Sequence, residues 1–229
     1  MDKIVYPKED ITVTPVISPF VCEITSNGTS WSKKWSDGWV EQGGYFSNLY
    51  DNKVTLLTPM ATTDYSVITS KYVADGDSST YAINAYSKTT TSFTVNGRGQ
   101  GGSGYGANAY GHWLVQGKGS FTPDTSKNIY LTVVDTNGKS WYKKYSNGWV
   151  EQGGECKGFQ QLISLWMPMK DTNYTLITGK VFDSYSGSSA TINTYNKSTT
   201  GFYCLGRGQG GKSYDESASG NYAVYGWGE

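Results

Sequence analysis

The sequence predicts an all-β molecule: two tandem antiparallel β-sandwich domains from an internal duplication, with a short extended arm at the N-terminus. Three observations lead there. The 229 residues include 29 Gly, 19 Tyr and 8 Trp, and only 17% are charged. That composition suits short strands joined by tight turns, because aromatic and β-branched side chains fill a pleated surface and glycine turns its corners. It is also the reverse of a disordered chain, which lacks aromatics and carries high net charge. Second, apolar and polar residues alternate over strand lengths that end at Asn-Gly or Asp-Gly, while no stretch sets apolar residues at i, i+3, i+4 and i+7 over a helical length. Third, the chain repeats itself.

Residues 27–44 read NGTSWSKKWSDGWVEQGG and residues 137–154 read NGKSWYKKYSNGWVEQGG, identical at 14 of 18 positions. One residue is then lost from the second copy. From Pro59 to Gly119 the copies align at an offset of 109 with 27 of 61 positions identical, and GRGQGG at 97–102 meets GRGQGG at 206–211. Units of ~100 residues are too long, and two are too few, for a solenoid, so each copy reads as a whole domain. The expected division is an arm over 1–18, a first sandwich over 19–119, a linker over 120–128 and a second sandwich over 129–229.

Taken in order, the arm carries the alternation Ile11-Thr12-Val13-Thr14-Pro15-Val16. Proline cannot donate to a ladder, so this segment reads as extended, or as one edge strand. A meander opens each copy. In the second, Ile129–Val134 runs to the Asn137-Gly138 turn, Ser140–Tyr145 returns, Asn147-Gly148 turns again and Trp149–Gln152 follows; Asp37-Gly38 takes the second turn's place in the first copy. Tyr65–Lys71, Tyr81–Tyr86, Ser92–Val95 and His112–Gln116 are further strands of copy one. Pro, Gly, Ser and Asn mark the linker.

Charge excludes several roles. Nineteen cations balance nineteen anions, so there is no cationic excess to displace phosphate counterions or hold an anionic membrane surface, and neither nucleic acid nor membrane insertion is expected. No run of ~18 apolar residues occurs. Met1–Pro7 lacks the apolar core of a secretory signal; either the chain leaves the cytoplasm another way or a signal was removed. Cys22, Cys156 and Cys204 have no paired spacing and read as free thiols in or near the core. With His112 as the single imidazole and no CxxC, no zinc site, other metal or cofactor is expected.

Catalysis finds no constellation either. The counterpart of His112 is Asn221, so a triad could exist in one copy only, and a surface or strand-end histidine is the simpler reading. Glu41 and Glu151 are the one acid that recurs in place, and one carboxylate per domain is not the pair a glycosidase needs. GRGQGG lacks the Lys-Ser/Thr and the following helix of a nucleotide loop, and reads as a glycine-rich turn. No catalytic residue is therefore assigned.

The order of motifs in each copy resembles a known family. GWVEQGG is followed by a Pro-centred segment and a strand tyrosine (Tyr65, Tyr174). Next come Thr90-Thr91-Ser92-Phe93 and Thr199-Thr200-Gly201-Phe202, then the closing aromatic strands His112–Gly117 and Asn221–Gly226. This order resembles the C-terminal domain of bacteriophage tail-fibre proteins, and the NG-x-SW segment resembles modules of gut-phage fibres. Glu41 and Glu151, where that family tends to be apolar, and the inserted GRGQGG loop are departures. The resemblance implies a small β-sandwich that trimerises and displays loops to a host surface. It also implies a virion protein made in the host cytoplasm; residues 1–18, short and marked by Pro7 and Pro15, read as the arm that docks it on another virion protein. Three functions remain open: a receptor-binding fibre for host-surface glycan, a structural virion protein such as a head fibre or capsid decoration, and a free-standing lectin.

Two groups of residues are candidates for the site. Arg98 and Arg207 are the chain's only arginines and are equivalent, so each domain needs a flat guanidinium fork at one place. One reading pairs Arg98 with Glu41 and Arg207 with Glu151 as structural ion pairs. The other has the arginines, with Gln100 and Gln209, donate to a glycan. Among aromatics, Trp31, Trp39, Trp141 and Trp149 recur in place and are expected in the core. Those that differ between copies, including Tyr110, Trp113, Tyr225 and Trp227, suit a surface that stacks on sugar rings.

Overall fold

A computed structural model describes residues 18–47, 51–72, 82–98, 110–157, 160–181, 191–207 and 219–229, with only the backbone of Arg98, Thr191 and Arg207. The described residues are all-β. The first repeat contributes β1 (Val21–Ser26), β2 (Ser30–Trp35), β3 (Trp39–Ser47), β4 (Asn52–Thr55), β5 (Ser66–Tyr72), β6 (Ala82–Tyr86), β7 (Ser92–Arg98) and β8 (Tyr110–Lys118). The second gives β9 (Leu131–Thr136), β10 (Ser140–Tyr145), β11 (Trp149–Lys157), β12 (Gln161–Ser164), β13 (Thr175–Val181), β14 (Thr191–Tyr195), β15 (Gly201–Arg207) and β16 (Ser219–Trp227). Each strand of one repeat has its equivalent in the other.

Within the first repeat, β1-β2-β3-β8-β5 form one antiparallel layer and β4-β7-β6 the other; β9-β10-β11-β16-β13 and β14-β15-β12 repeat the arrangement. Side-chain alternation builds the layers. Along β8, Trp113 and Val115 enter the first sandwich core with Phe93, Val95 and Met60, while Leu114 points the opposite way. Tyr222, Val224 and Phe202 do the same in the second. The meander turns need left-handed backbone, supplied by Gly38 (φ 86°), Gly138 (φ 84°) and Gly148 (φ 89°).

The recurring EQGG acquires a physical meaning here. Gln42 reaches across the first sandwich: its Oε1 accepts from Thr58 N (3.1 Å) and its Nε2 donates to Thr58 O (2.8 Å). Gln152 accepts from Trp166 N (3.0 Å) and donates to Met167 O (2.8 Å). Each glutamine thus fixes the Pro-Met segment that lids its core. The next glycine lets a tryptophan lie flat on the sheet. A Cβ on Gly43 would meet the Trp31 ring at 2.9 Å, and one on Gly153 the Trp141 ring at 2.7 Å.

The two repeats share structure. The end of β5 lies parallel to β14, paired at Thr194 and Tyr72, and joins them in one eight-stranded sheet. A third apolar cluster sits between the two five-stranded layers and includes Ile24, Trp31, Leu114, Tyr145 and Trp149. At its margin Lys33 is buried between Glu41 and Glu151, ion-paired to both. Burial pushes the Lys33 ammonium toward its neutral form, but Glu151 and then Glu41 outweigh that and hold its pKa above the ordinary lysine value.

Glu41 and Glu151 are ion-paired to Lys33; the side chains of Arg98 and Arg207, and with them the expected pairs, lie outside the described residues. Three expectations are corrected. The four recurring tryptophans do not share one environment, since Trp31 and Trp149 are buried between the repeats and Trp39 is 40% exposed. Trp113 is in the core, edge-on to Phe93 at 5.6 Å, because its place in β8 faces the sandwich interior. His112 is not a surface residue; it is fully buried at the junction. The three cysteines are buried free thiols. Residues 1–17, all of the expected arm but Ser18, lie outside the described residues.

Candidate functional site

The junction that joins the repeats also opens a cleft between them. Its rims are the β1–β2 turn, residues 26–30, and the segment leading into β13, residues 170–174. Local hydrogen bonds shape both. Asn27 Oδ1 accepts from Thr29 N (3.1 Å) and Ser30 N (2.8 Å), with Gly28 at φ 92°. Asp171 Oδ1 accepts from Asn173 N (2.7 Å). Gly28 and Asn173 border two chambers that share these rims.

The first chamber, about 220 Å³, is walled by aromatic rings. Trp31 stacks on Tyr225 (5.3 Å between centroids) and tilts against Trp149 (5.0 Å), which meets Trp227 edge-on (5.4 Å). Thr175 Oγ1 accepts from the Trp31 indole at 2.9 Å and locks the ring. Burial, then Glu151 and Glu41, push the Tyr225 hydroxyl up to about 12, so it stays a neutral donor.

The second chamber, about 250 Å³, is lined by Tyr45, Tyr72, Asn173 and Lys197. The Lys197 ammonium donates to Tyr174 O (3.0 Å) and lies 3.4 Å from His112 Nε2. It also faces the rings of Tyr174 (4.7 Å), Tyr45 (5.7 Å) and Tyr72 (5.8 Å). Burial lowers its pKa to about 8, against the attraction of Asp171. Burial and the neighbouring Lys197 hold His112 well below the ordinary histidine range. At neutral pH the imidazole is therefore uncharged. A protonated ammonium has only donors to offer, so Nε2 accepts from it. This histidine accepts from a lysine and positions it.

Of the residues singled out from sequence, Tyr225 and Trp227 line this cleft. Tyr110 stacks on Tyr45 at 6.2 Å, behind the second chamber, and Trp113 is absent from the cleft because it is core. Gln100 and Gln209 lie outside the described residues, as do the side chains of Arg98 and Arg207. Sequence reasoning missed Tyr45, Tyr72, Asn173 and Lys197. A signal was available in the divergence of the copies: Tyr45, Tyr72 and His112 become Glu155, Val181 and Asn221, all where only the first repeat meets the other. No group of three or more His, Cys, Asp or Glu side chains placed to hold a metal occurs among the described residues. No helix there is long and apolar enough to cross a membrane.

Compared with protein-family models, curated proteins and solved structures, the chain matches none.

Proposed function

We propose that this chain is a fibre or receptor-binding protein of a phage virion, and that it binds host-surface glycan in the cleft between its repeats. The observation that supports the glycan reading is the lining of that cleft. Aromatic rings from both repeats (Tyr225, Trp227, Tyr45) stand beside neutral tyrosine donors and the exposed polar rim of Asp171, Thr172 and Asn173. Ring faces accommodate the apolar face of a pyranose, and amide, carboxylate and hydroxyl groups satisfy its hydroxyls. The virion assignment rests on the order of motifs met twice in the sequence, and with it go the homotrimer and attachment through residues 1–18. The second reading, a structural virion protein without a receptor, is favoured by the large unused surfaces that both repeats retain.

The test uses rim residues that carry no core. On a glycan array the wild-type protein should retain a defined set of sugars, and Asn173→Ala with Asp171→Ala should weaken that binding at least tenfold with thermal melting unchanged. An array with no retained sugar, or a variant that binds as wild type, overturns the glycan reading. Imaging the protein on the particle then separates tail tip from capsid.

A further inference from the structure

The two repeats meet through unlike surfaces. The first contributes its β1–β2 face and the far end of β5, where Ile24, Trp31, Lys33 and Ser70 are buried. The second contributes β11, β16 and β13, with Trp149, Glu151 and Thr175 buried and Ile177 and Tyr225 packed against the same cluster. Such a contact is heterologous. A chain carrying two copies of both surfaces uses one of each and leaves one of each free.

The free surfaces are identifiable residue by residue. On the second repeat, Leu131 and Val134 are 46% and 61% exposed, whereas their equivalents Val21 and Ile24 are 2% and 8% exposed. Trp141 and Lys143 are half-buried where Trp31 and Lys33 are buried, and Gly179 is open where Ser70 is covered. On the first repeat, Trp39 and Ile68 are 40% and 43% exposed, while their equivalents Trp149 and Ile177 pack in the junction.

Two features say what covers these surfaces. The junction pairs β5 with β14; among the described residues their equivalents, β13 and β6, are each the outermost strand of their sheet. The socket in which Tyr45, Tyr72 and His112 receive Lys197 also has a counterpart on the second repeat, a hollow of about 570 Å³ bordered by Glu155, Val181 and Asn221. The residue equivalent to Lys197 is Lys88. It is exposed on the first repeat, and its ammonium already donates to Tyr65 O at 3.0 Å, the pose Lys197 takes on Tyr174 O. A lysine thus stands on one free surface where Lys197 stands at the junction, and the other surface offers the matching hollow, bordered by Glu155 and also by Lys139 and Lys157, which weakens the pull on an entering cation.

We infer that the chain binds a second copy of itself head to tail: the β9–β10 face of one molecule covers the Trp39–Ile68 face of the next, Lys88 enters the hollow beside Glu155, and β6 lies along β13. This repeats between chains the contact already made within one. It produces a ring if the rotation per junction closes and a filament if it does not. The contact between chains is the weaker one. Gln116 and Lys118 stand where Tyr225 and Trp227 stack, and Pro19 has no N–H to match the Ile129 N donation to Val21 O (2.8 Å). No linker raises the effective concentration.

Sedimentation of the full chain from ~1 to ~100 μM tests this. The wild type should populate species above its 25.1 kDa chain mass. Val134→Lys, on one free surface, and Ile68→Lys, on the other, should each weaken association at least tenfold with melting unchanged, since both sites are exposed. An equimolar mixture of the two variants should form a dimer and nothing larger, because one intact surface of each kind remains. A wild-type chain that stays monomeric, variants that associate normally, or a mixture that stays monomeric each overturns the inference.

Discussion

Lys33 and Lys143 sit at the same place in nearly identical stretches, SWSKKW and SWYKKY. One is 2% exposed and clamped between Glu41 and Glu151; the other is half-buried with its ammonium 5.4 Å from the Trp141 ring. Trp149 and Trp39 part in the same way, 1% against 40% exposed. Local sequence sets the strand, its register and the face on which these side chains stand. It does not set what that face meets. The junction does, and because it joins unlike surfaces, equal residues receive unequal environments.

The largest expected effect comes from breaking the clamp. Lys33→Ala leaves Glu41 and Glu151 facing each other without a cation, and stranding a buried charge costs about 3–5 kcal/mol. Lys143→Ala at the equivalent position should cost less than about 1 kcal/mol, as a solvated charge does. Urea denaturation of the two variants measures the difference. Equal losses would mean that the two lysines are equally buried in solution and that the junction is not the one described.

How far this was legible in the sequence follows from the same distinction. The strands Ser140–Tyr145 and Ser92–Val95, the Asn-Gly turns and the sandwich could be read because alternation and turn chemistry are local. Recurrence points to Arg98 and Arg207 as partners of Glu41 and Glu151. The partner found among the described residues, Lys33, also recurs, as Lys143, but acts in one copy only, and recurrence cannot show that. Trp113 was misplaced for a related reason. Its replacement by Tyr222 is an exchange of one core aromatic for another against Phe93 and Phe202. Divergence between copies marks the surface only where the facing groups also differ, as at Tyr225 and Trp227 against Gln116 and Lys118.

A second contrast sets Lys197, held at the junction, against exposed Lys88. The folded pKa of Lys197 is lowered from 10.5 to about 8. Below pH 8 the lysine is charged in both folded and unfolded states, and its burial penalty is constant. Above pH 8 the folded state releases the proton and the unfolded state keeps it, so stability rises with pH until the unfolded lysine titrates. Between pH 7 and 9.5 the gain should be roughly 2 kcal/mol, at ~1.4 kcal/mol per pH unit for one proton. Lys33, whose pKa is raised, opposes this only above its ordinary value, outside that range; Cys22 and Cys204, whose thiols are also held above their ordinary value, subtract stability near the top of the range, so the Lys197 contribution is read as the difference from Lys197→Met. Asp171, His112 and the three tyrosines around Lys197 remain in place in Lys197→Met, which should flatten the profile. Lys88→Met should leave it unchanged. A profile that keeps its slope in Lys197→Met would remove the lysine from the junction.

The smallest effect is the sharpest comparison, because it involves a single hydroxyl. Ser70 Oγ donates to Leu176 O at 2.6 Å across the junction, with both groups buried. Ser70→Ala therefore leaves a buried carbonyl short of a partner and should cost about 1 kcal/mol. The equivalent position is Gly179, whose Cβ would meet nothing within 4 Å. Gly179→Ala should stabilise by up to about 0.5 kcal/mol, since alanine restricts the unfolded chain and costs no space in an exposed strand. The two substitutions should thus differ in sign when melting is followed at sub-micromolar concentration, where each chain is alone. At high concentration a head-to-tail neighbour would place its Val67 carbonyl, the equivalent of Leu176 O, opposite residue 179. Gly179→Ser would then supply the missing hydroxyl and strengthen association, with no more effect on the dilute chain than Gly179→Ala has. A serine that changes the dilute chain's stability as much as it changes association would show that the space beside Gly179 is already filled within one molecule.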